Sequence, residues 1–143
     1  MNIYNQRGTF DCLLACLASA MQRPYEELWP EDFRATIEDA KGTYGKNLDK
    51  AFELAGLNRD TDYWCVNVGM HAGVKASVLR QLLAGRRALL QVPSLNNPPP
   101  AQHIIFWAGE TLYDPSNKQV YRWLDQCVPE YVWIFDERRR GAS

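Results

Sequence analysis

The stretch NQRGTFDCLLACLA, residues 5–18, decides how the chain is interpreted. A polar segment with one glycine leads directly into an apolar helical pattern, and Cys12 stands at the junction. A thiol in the first turn of a helix faces unpaired backbone N–H groups and the positive end of the helix dipole, and both favour the thiolate that attacks electrophiles. Gln6 precedes Cys12 by six residues, which allows its amide to serve as an oxyanion donor at the same point.

A base for this cysteine is expected at His103, which begins the apolar stretch 103–107. Asp114 follows eleven residues later, after a turn predicted at Gly109-Glu110. In a hairpin with that turn, His103 and Asp114 fall at the same end of two paired strands. A carboxylate beside imidazole Nδ1 would fix the tautomer and stabilise the charged ring. The candidate catalytic residues are therefore Cys12, His103, Asp114 and Gln6.

Each candidate also has an ordinary structural explanation. A cysteine in an apolar helix is often a small buried hydrophobe, a histidine can end a strand, and Asp before Pro is a common turn signal. We interpret the remaining cysteines as structural, namely Cys16, Cys65 and Cys127. The second histidine, His71, is interpreted as an exposed loop residue, or as a substrate-gating or second-site residue. A zinc site usually has its ligands in closely spaced pairs along the sequence. This spacing is absent among Cys12, Cys16, His71 and His103, so no metal is expected.

Composition limits the possible functions of the chain. Its 143 residues are 46% hydrophobic and 23% charged with a net charge of −1, which predicts one domain, residues 1–143, with a sizeable core. No basic stripe indicates nucleic-acid binding, and no apolar run reaches the roughly 20 residues of a membrane span. The polar N-terminus does not resemble a signal peptide, so a cytoplasmic protein with reduced cysteines is expected.

Hydrophobic periodicity predicts helices first and strands afterwards. Helices are expected over 12–22, 31–40, 48–55 and 75–84, and strands over 63–68, 87–93, 102–108, 111–113 and 131–135, while 119–126 fits either. The fold class is therefore α+β, with N-terminal helices packed against a mostly antiparallel sheet. The proline-rich loop 94–102 is expected to form one wall of a cleft beside Cys12, with Thr9-Phe10 or the loop 69–73 opposite.

The combined motifs resemble a known family. Gln6-x₅-Cys12 with Asp11 before the cysteine, the strand beginning at His103 and the run Tyr113-Asp114-Pro115 resemble the papain-like peptidases that process bacteriocin leaders, and their stand-alone relatives. The stretch 85–93 resembles the strand before the catalytic histidine of that family. The resemblance implies a papain-like fold and peptide-bond hydrolysis, with Cys12 as nucleophile and Gln6 as oxyanion donor.

Two features depart from that family. Leu13 follows the cysteine where the family usually has glycine, and this bulkier neighbour would narrow the cleft or alter the leader-binding groove. No transporter segment accompanies the motif, so export-coupled processing of a double-glycine leader is not implied.

The sequence therefore predicts a cysteine peptidase with a Cys-His-Asp triad, a peptide or protein substrate and no cofactor. Deamidation, transglutamination and isopeptide cleavage use the same residues and remain alternatives. A peptide-binding module that keeps the fold without catalysis is a further alternative. The natural substrate and the oligomeric state do not follow from the sequence.

Overall fold

The fold is given by a computed structural model, which describes residues 1–69, 76–95, 101–116 and 118–136. Its helices and strands follow the predicted order from helices to strands. The helices are α1 (Cys12–Met21), α2 (Tyr25–Leu28), α3 (Glu31–Asp39), α4 (Gly45–Leu54) and α5 (Ala76–Leu83). The strands are β1 (Tyr63–Asn67), β2 (Arg87–Pro93), β3 (Gln102–Ala108), β4 (Leu112–Tyr113) and β5 (Tyr131–Phe135), with a short 3-10 helix at Leu124–Gln126.

The five strands form one sheet in the order β1-β5-β2-β3-β4, and the strand pairs within the described residues are antiparallel. β2 lies in the middle, between β5 and β3, as expected from its run of apolar residues. Ala88, Leu89 and Leu90 are consecutive and fully buried, so both faces of this strand are covered. The prediction of an α+β fold is confirmed.

The two faces of the sheet support separate apolar clusters. On one face Leu89, Phe106 and Trp133 pack with α1 and α4. On the other face Leu90, Ile105 and Val132 pack with α5 and the 3-10 helix. Residues two apart in a strand share a face, which explains why neighbours such as Leu89 and Leu90 belong to different clusters.

Helix α1 is the central helix of the first cluster. Its residues from Leu13 to Ala20 are all buried, and complete burial of each leucine contributes about 1.5–3 kcal/mol. The indole N–H of Trp29 donates to the Leu14 carbonyl at 2.9 Å. Cys16 Sγ lies 3.5 Å from the carbonyl oxygen of Ile104 on β3, so α1 lies directly against that strand. This packing fixes the position of the residue at its N-terminus, Cys12.

Three details differ from the sequence prediction. α2 was not predicted, because a helix of four residues is too short for hydrophobic periodicity to reveal. α4 begins at Gly45, three residues before the expected start at residue 48. The ambiguous segment 119–126 contains no strand; it holds the 3-10 helix at its end.

The predicted hairpin at Gly109-Glu110 is confirmed. Trp107 pairs with Leu112, Phe106 pairs with Tyr113, and Ala108 donates to the Thr111 carbonyl at 3.0 Å. The register brings Asp114, which follows β4, beside the beginning of β3.

Some predictions fall outside the described residues. These are His71, the remainder of the loop 70–73 and most of the proline-rich loop, 96–100. Within the described part, the helices are too short or too polar to cross a membrane.

Candidate active site

Cys12 is the first residue of α1 and is half-buried. Asp11 occupies the N-cap position, but its carboxylate makes no capping hydrogen bond to the helix. The N–H groups of the first helical turn therefore donate no hydrogen bond to this side chain. The position agrees with the sequence prediction for Cys12.

His103 and Asp114 form a buried pair, 8% and 6% exposed. His103 Nε2 lies 2.7 Å from Asp114 Oδ1. The sequence prediction that the carboxylate meets Nδ1 is wrong. Asp114 follows the neighbouring strand β4 and reaches the ring nitrogen farther from the backbone, so Nδ1 is not occupied by the carboxylate.

The Asp114 carboxylate is held by backbone donors as well as by the imidazole. Oδ1 accepts a hydrogen bond from Ser116 N at 2.9 Å, and Oδ2 accepts one from Tyr121 N at 3.0 Å. Burial by itself would raise the pKa of Asp114, but the bond to His103, the imidazolium charge and these two N–H groups lower it. Asp114 is therefore a fixed negative charge next to the imidazole.

The protonated form of His103 is favoured. Burial by itself would lower the pKa of His103, but hydrogen bonds to Asp114 and to the Cys12 thiol outweigh it and raise the pKa to about 9. Cys12 and His103 also line the same cavity. The arrangement favours an imidazolium paired with the Asp114 carboxylate.

Tyr121 supports the pair, and sequence reasoning missed it. Its ring stacks on His103 with centroids 6.5 Å apart, and its hydroxyl donates to the Pro93 carbonyl at 2.6 Å. Together with its backbone bond to Asp114, the residue fixes both members of the pair. It lies in the segment whose secondary structure was ambiguous, so no local pattern pointed to it.

The loop before Cys12 is held by two carboxylates, the first being Asp11. Asp11 is buried and accepts hydrogen bonds from Arg7 N at 2.9 Å and Gly8 N at 3.0 Å. The Tyr25 hydroxyl also donates to it at 2.5 Å. Burial, followed by this bond to Asp11, raises the pKa of Tyr25, so the phenol remains a donor.

The second carboxylate is Glu38 on α3. It accepts hydrogen bonds from Thr9 N at 2.7 Å and from Phe10 N at 3.0 Å. The four successive N–H groups of residues 7–10 thus all donate to carboxylates. Sequence reasoning missed Glu38, because it contacts a loop 28 residues earlier and has no local signature.

Gln6 lies in the same loop, and its amide is directed into the loop itself. Nε2 donates to the carbonyls of Gly8 at 3.0 Å and Thr9 at 3.2 Å, and the Gln6 backbone N–H donates to Pro115 O at 2.9 Å. Oε1 is buried without a hydrogen-bond partner among the described residues. Its role as oxyanion donor stays a prediction, because it requires one amide N–H to leave a carbonyl.

A cleft of about 120 Å³ opens beside Cys12 and His103. Thr9 and Phe10 form part of its lining, which confirms that element of the prediction. The described end of the proline-rich loop, Ala101 and Gln102, also lines it, while 96–100 lie outside the described residues. The segment 41–44 between α3 and α4 adds an unpredicted part of the wall.

The other three cysteines lack such an environment. Burial raises the pKa of Cys16 and of Cys65, and it raises the pKa of Cys127 to about 12. These thiols stay protonated and unreactive at neutral pH. Within the described residues the four cysteines form no disulfide, and no cluster of three metal-binding side chains occurs.

The chain was also compared with known proteins. No protein-family model matches it, and no curated protein and no solved structure shows significant similarity.

Proposed function

We propose that the protein is a cysteine peptidase of the papain-like class, with Cys12 as nucleophile, His103 as acid and base, and Asp114 as the residue that orients His103. The observation that carries the proposal is the buried His103–Asp114 pair in the cavity that Cys12 also lines. A buried carboxylate at 2.7 Å on one imidazole nitrogen leaves the other for the thiol. This arrangement suits nucleophilic attack on a carbonyl carbon.

In the first half-reaction, His103 Nδ1 takes the thiol proton and Cys12 becomes a thiolate. The sulfur attacks the carbonyl carbon, and the π electrons of the carbonyl move to its oxygen. The Cys12 backbone N–H stabilises this oxyanion, and Gln6 adds a second donor if its amide turns from the Gly8 or Thr9 carbonyl. The C–N bond then breaks, and the proton on His103 goes to the leaving amine.

In the second half-reaction, water adds to the thioester while His103 accepts one of its protons. The tetrahedral intermediate releases the carboxylic acid and restores the thiolate beside the imidazolium. Asp114 keeps its charge throughout and stabilises the imidazolium. This sequence needs no group beyond the side chains described, and it uses a peptide or protein substrate.

The alternative acyl transfers differ only in the molecule that accepts the acyl group. One observation favours the non-catalytic peptide-binding module, namely that both amide hydrogens of Gln6 bond to loop carbonyls. Against it, a module that only binds has no need for a buried imidazolium between a carboxylate and a thiol. A cytoplasmic location belongs to the same proposal, because it keeps Cys12 reduced.

The test is cleavage of a defined library of 14-residue synthetic peptides, with products identified by mass spectrometry. Cys12→Ala should abolish cleavage because it removes the nucleophile. Cys127→Ala is the matched control, since Cys127 packs on the opposite face of the sheet and lines none of the cavities near Cys12. The control should retain full activity and lose about 1 kcal/mol of stability.

Cleavage by Cys12→Ala at the wild-type rate would contradict the proposal. Release of ammonia from glutamine-containing peptides without chain cleavage would assign a deamidase instead. Peptide retention by the wild-type protein with neither reaction would favour the binding module.

A further inference from the structure

The cleft at Cys12 is small and mostly apolar beyond the catalytic pair. Leu13, Leu48 and Trp133 contribute to its lining. Its volume of about 120 Å³ is close to that of a protein cavity of about 150 Å³ that holds one benzene molecule. The cleft therefore has room for one branched or aromatic side chain.

A second cavity of about 250 Å³ adjoins the first. The two share Leu48, Gln91 and Trp133 in their linings. A third cavity of about 330 Å³ shares residues of α4 and β1 with the second, among them Asp49 and Tyr63. The three cavities thus follow one another away from Cys12, between α4 and the sheet.

This groove crosses the sheet diagonally from β3 to β1. It passes Ile104 on β3, Gln91 on β2, Tyr131 on β5 and Tyr63 on β1. Three steps of about 4.8 Å between neighbouring strands, together with about 13 Å along β1 because Tyr131 pairs with Asn67, give a length of roughly 20 Å. An extended chain rises about 3.3 Å per residue, so the groove has the length of about six residues.

The polarity of the groove rises with distance from Cys12. The cavity at the cysteine has the apolar lining already described. The farthest cavity is lined by Asp49, Glu53 and Arg59 together with Phe52 and Leu57. A fatty acyl chain needs an apolar surface along its whole length, whereas a peptide presents polar backbone groups at every residue.

We infer that the substrate is an extended peptide that binds along this groove, with one branched or aromatic apolar side chain in the cleft beside Cys12. The inference rests on the proposed function and adds the substrate class to it. Leu48 is an apolar residue at the junction of the cleft and the second cavity, which it lines together with Gln91 and Trp133, so its size affects which side chains the cleft accepts. The farther part of the peptide contacts α4 and tolerates polar side chains.

The peptide library tests this directly in the wild-type protein and in Leu48→Trp, which fills the cleft. The wild type should show an apolar preference at one position within two residues of the cleaved bond. Shortening the chain on that side below about six residues should slow cleavage. Leu48→Trp should lower kcat/KM for the preferred peptides about tenfold or more, with small residues tolerated better.

Leu54→Trp is the matched control, because Leu54 lies on the same helix and lines none of these three cavities. Its cleavage pattern should match the wild type. The pH at which Cys12 alkylation by iodoacetamide reaches half of its maximal rate should be the same in all three proteins, which shows that Leu48→Trp leaves the nucleophile intact.

Three outcomes would overturn the inference. Cleavage without an apolar preference would reject it and leave the peptidase proposal standing. Faster turnover of p-nitrophenyl octanoate than of every peptide would assign the groove to an acyl chain. No cleavage of any peptide would reject the proposed function and this inference together.

Discussion

The charge of His103 depends on opposing effects at a single residue. Burial favours the neutral imidazole, while the bonds to Asp114 and Cys12 favour the imidazolium, and the bonds prevail. Asp114 is fixed in turn by Ser116 N and Tyr121 N. A positive charge buried in this way is stable only with its partner present, so the pair couples the chemistry of the site to folding.

This coupling predicts how stability changes with pH. The pKa of His103 rises from 6.5 to about 9 on folding, so its contribution is complete below pH 6.5 and is lost as the pH rises through 9. The pKa of Asp114 falls below 3.8, so its contribution is present above pH 3.8 and is lost as the pH falls through its lower folded pKa. Asp114→Asn should lower the free energy of unfolding by about 2 kcal/mol at pH 6 and flatten the decline above pH 6.5.

Urea denaturation between pH 5 and pH 9.5 measures these changes. Asp125→Asn is the control, because Asp125 pairs with Arg80 at the same 2.7 Å but both side chains are exposed. The exposed pair should contribute between 0 and about 1 kcal/mol. An unchanged pH dependence in Asp114→Asn would show that the pair does not set the charge of His103.

At the scale of elements, helix α3 reaches across to the loop before the nucleophile. Glu38 binds Thr9 N and Phe10 N, and Asp11 binds the two preceding N–H groups. Gly8 allows this close approach, since a Cβ there would lie 2.2 Å from Glu38 Oε1. The loop carries both Gln6 and part of the cleft wall, so α3 positions the groups that would contact the substrate.

Glu38→Gln should therefore reduce the activity of the site more than it reduces the stability of the fold. An amide keeps one acceptor oxygen but loses the charge, and it can accept from only one of the two N–H groups in the same geometry. We expect kcat/KM for the preferred peptide to fall about tenfold, while the free energy of unfolding falls by about 1 kcal/mol. Steady-state kinetics and urea denaturation separate the two effects.

Asp39→Asn provides the comparison on the same helix. Asp39 is exposed and is adjacent to Glu38 in the chain, so it changes the charge of α3 equally without touching the loop. Equal losses of activity in the two variants would mean that only the charge of the helix matters.

Local patterns were sufficient for much of this architecture. The turn at Gly109-Glu110 fixed the pairing of β3 with β4, and with it the proximity of His103 and Asp114. The role of Glu38 was not predictable, because it depends on how α3 packs against a loop distant in the chain. The choice of Nε2 over Nδ1 depends on the side from which Asp114 approaches the ring, which strand pairing alone does not determine.

At the scale of the whole molecule, the site joins two halves of the chain. Cys12 belongs to the helical half, and His103 belongs to the sheet. The halves meet where α1 packs on β3, with Cys16 Sγ at 3.5 Å from Ile104 O, and where Gln6 N donates to Pro115 O at 2.9 Å. The cavity that brings Cys12 and His103 together therefore exists only in the folded protein.

The rate of Cys12 alkylation by iodoacetamide as a function of pH tests the central claim, that His103 activates Cys12, most directly. Mass mapping of peptides from the native protein gives this rate separately for Cys12 and Cys65, in the wild type and in His103→Ala. At pH 6 the wild type should alkylate at Cys12 at least tenfold faster than at Cys65, because the imidazolium stabilises the reactive thiolate. His103→Ala should lose this advantage, and urea denaturation of the folded protein would remove it too. Equal rates at Cys12 in the wild type and in His103→Ala at pH 6 would contradict the account.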